Sequence, residues 1–228
     1  MRRPQKPVTK RSDLANLTEH AYRELEEMIA TLALAPGTVV SEAALSKQLG
    51  IGRTPVREAM QRLARERLLQ ILPRRGCIVA DSRPDEELNV IEARRPIEIL
   101  VVRTAAIRAN AEQRQAFERI ATAMEASLAS GDFNGFARLD AEFNDLCLAA
   151  CRNPIAASMM QLITTLNRRF WFMHHGRTLP AEGIKHHVEI AGAIARGDAE
   201  AAARSTEHLL DYIESWPRKA LAPVRFRQ

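Results

Sequence analysis

The side chains best placed to do chemistry are arginines gathered around two turns. Arg53 and Thr54 stand directly before Pro55, Arg57 follows one helical turn later, and Arg74-Arg75-Gly76 close a second turn. A guanidinium donates paired hydrogen bonds to phosphate oxygens or to base edges, so this is the chemistry of polyanion recognition. Thr54 reads as an N-cap and Pro55 as the first helical residue, which fixes where the helix begins. That helix end adds free backbone N–H groups and partial positive charge. Arg53, Thr54 and Arg57 then project towards one groove, and Arg75 with Gly76 forms a basic tip that can approach a duplex closely. Arg62 and Arg65 lie further along, towards phosphates or solvent. Each arginine alone also fits a solvated face; turn, capped helix and basic tip together favour nucleic acid.

Upstream of these turns, "LTEHAYRELEEMIATLAL" has helical spacing, with Thr18 as its N-cap and "APG" as its stop. "TVV" reads as a brief strand, Ser41 caps a helix to about Leu49, and Thr54 opens one to about Arg67. "LLQILPRRGCIVA" reads as a hairpin around "PRRG". This order is that of a winged helix-turn-helix. "DSRPDEE" breaks the pattern, and beyond it helices are expected over 85–109, 112–129, 133–150, 155–175, 180–196 and 199–216, with Pro96 kinking the first. The fold class is therefore mainly α: a basic arm (1–15), a winged helix-turn-helix (16–80), a linker (81–84), a helical bundle (85–219) and a tail (220–228).

Hydrophobic content of 46% and charged content of 27% are those of a folded chain. No apolar run approaches the ~20 residues of a membrane span, and the basic start has no apolar segment behind it, so a cytoplasmic protein without membrane contact is expected. Cys77, Cys147 and Cys151 form no CxxC pair and read as small buried residues in a reducing compartment. Residues 1–83 carry 15 Lys/Arg against 9 Asp/Glu, a net of +6, whereas 84–228 carry 18 against 19, a net of −1. The excess positive charge belongs to the arginine-bearing third.

The string "SEAALSKQLGIGRTPVREAMQRLARERLLQILPRRGCIVA" resembles the DNA-binding domain of GntR-type bacterial transcription regulators. The resemblance implies that Arg53, Thr54 and Arg57 contact an operator and that Gly76 sits at the wing tip near the minor groove. The chain departs from the pattern at Gly52, where a hydroxyl residue is usual, at Ala43, where some relatives carry arginine, and at Arg67, in place of a common glycine.

"DAEFNDLCLAACRNP" and "HHVEIAGAIARGDAEAAARSTEHL" resemble the helical effector domain of the FadR branch, in its six-helix VanR-type form. That resemblance implies a divalent metal, zinc or nickel, held by Asp140, by Asn144 in the place of a usual histidine, by His187 (with His186 as its neighbour) and by His208. Asp140 and Asn144, four apart, share a helix face. Asn144 is a poorer ligand for such metals than imidazole, so a metal, a metal-free polar pocket and structural histidines all stay open. Arg94 in "IEARRPIE" resembles the family's ligand-facing arginine and implies a small organic acid as effector; the other reading is a surface ion pair with Glu98. Trp171, within Phe170-Trp171-Phe172, is core or a pocket wall. His174 and His175 point about 100° apart and do not form a bidentate pair.

The function these features support is a dimeric regulator that binds double-stranded operator DNA and whose bundle binds a small metabolite. A metal-dependent hydrolase or oxygenase using Asp140, His187 and His208 is the rival, and it lacks a nucleophile motif, a phosphate-cradling loop and a general base. The expectation is not an enzyme. A third reading is an architectural DNA binder that no ligand alters.

Overall fold

The structure, a computed structural model, describes residues 11–72, 76–175 and 181–221. The chain divides into two compact units, 1–82 and 83–228. In the first, α1 (Arg11–Ala30) leads to β1 (Val39–Val40), α2 (Glu42–Leu49), α3 (Arg53–Arg65), β2 (Leu69–Leu72) and β3 (Gly76–Val79). The helix α1 starts inside the stretch read as a basic arm, because neither proline nor glycine interrupts 11–30.

Ser41 accepts a hydrogen bond from the Ala44 amide at 3.2 Å and so caps α2, while Gly50, at φ 67°, ends it. The start of α3 differs from expectation. Gly52, not Thr54, is its N-cap, and the first turn holds Arg53, Thr54 and Pro55. Pro55 is accommodated there because the first N–H groups of a helix have no intrahelical partner to lose. Pro55, Val56, Ala59, Met60 and Leu63 form its buried face; α3 packs on α1, where Leu25 and Ile29 are buried too.

The three strands form an antiparallel sheet in the order β1-β3-β2, with Leu72 opposite Gly76 and Val40 opposite Cys77. At Gly76 the backbone has φ 94°, and a Cβ there would lie 2.7 Å from the Val40 carbonyl oxygen. Only glycine meets both demands. Arg67, between α3 and β2, also adopts the left-handed region, at φ 60°. A glycine would sit there without strain.

Among the described residues the second unit is a six-helix bundle of α4 (Pro84–Arg108), α5 (Ala111–Ser130), α6 (Phe133–Ala150), α7 (Pro154–His175), α8 (Ala181–Arg196) and α9 (Ala199–Leu221). The helix α4 continues through Pro96 and packs on α7 and α9, while α5 packs on α6 and α8. Asn110 and Gln113 form a reciprocal capping box at the start of α5, and Asp132 caps α6. The core holds Phe117, Met124, Ile190, Ile194 and Leu209, with Cys147 and Cys151 buried among them. Burial pushes the Cys147 thiol well above its ordinary value, so it packs as an inert hydrophobe. Among the described residues no helix is long and apolar enough to cross a membrane.

Candidate nucleic-acid interface and ligand cavity

One side of α3 is polar and open. Arg53, Thr54 and Arg57 are all exposed there, together with Glu58, Gln61 and Arg65. The structure therefore gathers the three sequence-predicted helix residues on one accessible surface. Gln61, four residues after Arg57, shares it; the i, i+4 spacing would have found this amide, which suits adenine edges. Arg57 is held by α2, since its Nε and Nη2 donate to the two Glu42 oxygens at 2.8 and 2.9 Å. Glu42 is in turn kept below its ordinary carboxylate range, mainly by that hydrogen bond.

Arg62 is turned inwards. Its guanidinium lies 3.5 Å from the centre of the Tyr22 ring and donates to Glu19 and Glu66, each at 3.0 Å. It braces α3 against α1. Arg75 lies outside the described residues. Gly76 is the first residue of β3, and the Val40 contact explains it by backbone geometry.

In the second unit a cavity of about 260 Å³ is walled by Arg94 of α4, Asp140 and Asn144 of α6, Asn167 and Trp171 of α7, His187 of α8, and Leu209 and Tyr212 of α9. This is below the ~300–1,000 Å³ of sites for drug-sized molecules and suits a small metabolite. Trp171 is both a cavity wall and part of a ring cluster, its indole centre 6.0 Å from that of Trp216.

Arg94 is buried rather than at the surface. It donates from Nε and Nη2 to both oxygens of Glu98, at 2.5 and 3.0 Å, and from Nη1 to the Asn167 side-chain oxygen at 2.7 Å. The pairing with Glu98 thus exists, but inside the bundle and at the cavity wall. Asn167 passes the network on, donating to Glu87 at 2.5 Å. Burial raises the Glu87 carboxyl to about 7 despite that hydrogen bond and the Arg94 charge. Glu87 and Asn167 carried no signal in the sequence: one is the third acid of an acidic first turn, the other one of two amides on a largely apolar helix.

His187 and Asp140 meet, with Nε2 and Oδ1 3.2 Å apart, while His187 Nδ1 donates to the Gly183 carbonyl at 2.7 Å. Burial opposes charge on both, yet their interaction holds Asp140 below and His187 above their ordinary values. Asn144 is adjacent, its amide donating to the Asp140 carbonyl at 2.8 Å. His208 does not join them. It is exposed on α9, and the next residue, Leu209, faces the cavity. His186 leans towards α9 instead, its ring 6.1 Å from Tyr212 and 6.3 Å from His208. The four-ligand set expected for zinc or nickel is therefore not assembled, because neighbouring helical residues point about 100° apart and it is Leu209 that points inwards. Among the described residues no three His, Cys, Asp or Glu side chains are grouped to hold a metal ion.

Comparison with known proteins agrees with this division. Residues 17–79 match the bacterial regulatory proteins of the gntR family, and residues 89–212 match the FCD domain. The chain is 28% identical over 201 residues to the HTH-type transcriptional repressor RspR of Escherichia coli (strain K12), covering 87% of this chain and 88% of that one. It is 34% identical over 134 residues to an uncharacterized HTH-type transcriptional regulator of Agrobacterium vitis, covering 58% of this chain and 78% of that one. The solved structure of E. coli McbR/YncC shares the fold, with a TM-score of 0.76 at 18% identity over 90% of this chain and 99% of that one.

Proposed function

From the premise that the chain belongs to the GntR family of bacterial regulatory proteins and carries an FCD domain, and is thus a DNA-binding transcription regulator and not an enzyme, we propose how its two units divide the work. The open face of α3 reads an operator through Arg53, Thr54 and Arg57, with Arg75 and Gly76 of the wing beside the duplex. The cavity of the second unit binds a small organic acid between Arg94 and Trp171. Two copies of the chain form a cytoplasmic dimer that reads a near-palindromic site, and the acid favours one arrangement of the pair over another.

The observation that carries this reading is the exposed arginine-threonine-arginine face at the N-terminus of α3, in the unit that holds the chain's excess positive charge. The test is selection of bound duplexes from a random pool, followed by affinity measurements against salt and against a panel of small acids. Sequence-specific binding that weakens steeply with salt and responds to one of the acids is expected. Binding without sequence preference at every salt concentration would overturn the operator-reading assignment.

A further inference from the structure

The cavity wall carries a consequence for the chemistry of its ligand. A zinc or nickel site assembled by a protein needs at least three charged or imidazole donors converging on one point. Here α6 supplies one carboxylate, Asp140, and α8 one imidazole, His187. The Asn144 amide is turned to its own helix, which leaves at most a neutral oxygen. The hydrogen bond from His187 Nδ1 to Gly183 would orient a metal-bound imidazole as well as a free one, so the decision falls to α9.

There the inward position is Leu209, 1% exposed, followed by Leu210, 0% exposed. Turning His208 inwards would rotate both leucines out of the core.

We propose that this cavity takes its ligand without a metal, a direct Asp140–His187 pair standing where a cation would otherwise bridge α6 and α8. This inference rests on the reading of the cavity as an effector site. It narrows the effector class to an acid held by N–H donors and by an apolar wall that includes Trp171 and Leu209. Acids whose advantage is chelation, such as 2-hydroxy acids and closely spaced dicarboxylates, gain nothing here over a simple monocarboxylate of similar size.

The test uses the full chain purified without chelators or nickel resin, with elemental analysis and calorimetric titration of zinc and nickel. The wild type is expected to carry no stoichiometric metal and to show only weak binding. Asn144→His combined with Leu209→His completes a four-donor set and is expected to bind zinc at least ~100-fold more tightly. Wild-type protein that carries about one metal per chain, and loses it on His187→Ala, would overturn the proposal, as would equal zinc affinity in the wild type and a folded double variant. If the double variant does not fold, the metal content of the wild type and of His187→Ala decides alone. Operator binding is measured on the same samples with and without chelator. Its complete absence would count against the regulator assignment, whereas its loss on chelation alone would count against a metal-free cavity.

Discussion

Arg57 and Glu42 join two consecutive helices through a paired hydrogen bond, so the arginine we propose to read the operator is held in position by a carboxylate of the helix before it. The pair is exposed, so it adds little to folding stability. Its value lies in presentation, because a guanidinium already confined loses less freedom when it meets a base edge.

Arg57→Ala is therefore expected to weaken specific operator binding by about ten- to a hundredfold while leaving the melting temperature nearly unchanged. Glu42→Gln should leave stability unchanged too, and should alter sequence discrimination more than affinity for random duplex. Fluorescence anisotropy on matched and scrambled duplexes measures both. Equal operator affinity for Arg57→Ala and wild type would remove α3 from the reading role.

Arg67 gives a stability test confined to the first unit. Its φ of 60° places a long side chain where an L-amino acid is strained by about 1 kcal/mol or more. Arg67→Gly relieves that strain but increases the freedom of the unfolded chain, so a net gain of about 0.5 kcal/mol is expected. Calorimetry should show the N-terminal transition moving up by a few degrees. A downward shift would mean that the arginine side chain contributes more than its backbone conformation costs.

Glu87 makes the stability of the second unit depend on pH. Its carboxyl is raised from 4.5 to about 7 in the folded state, so the native protein retains this proton where the unfolded chain has released it. The resulting stabilisation is fully present below pH 4.5, declines as pH rises towards 7 and is absent above it. The decline is expected to amount to about 3 kcal/mol. Glu87→Gln should flatten the thermal stability of the second unit between pH 5 and 7. A slope identical to the wild type's would assign the titration to another group.

The helix-loop pattern was legible because glycine, proline and capping side chains mark each joint. Ser41 and Gly50 bound α2 by local chemistry, and the "PRRG" hairpin follows from β-prone runs on either side of a turn. What escaped was position to within one or two residues. Thr54 looked like a cap because its side chain can cap, but the structure uses Gly52, which caps with backbone conformation alone. His208 looked like a ligand because its type fits, yet one step along a helix turns a side chain by about 100°, and Leu209 takes the inward place. Arg94 was visible as a ligand-facing arginine through the family resemblance, with a pairing to Glu98 as the other reading. Its long-range partner Asn167, 73 residues away, was not, because periodicity reports which face a residue occupies and not what faces it.

The inward turn of Arg62 bears on how charge should be counted. Clamped between Glu19, Glu66 and the Tyr22 ring, this cation is already compensated before any duplex arrives. A guanidinium so engaged neutralises no phosphate and therefore releases none of the counterions condensed on DNA. The slope of log affinity against log salt registers only those cations that reach phosphates, and for this chain it is expected to be shallower than the number of arginines in its N-terminal third implies.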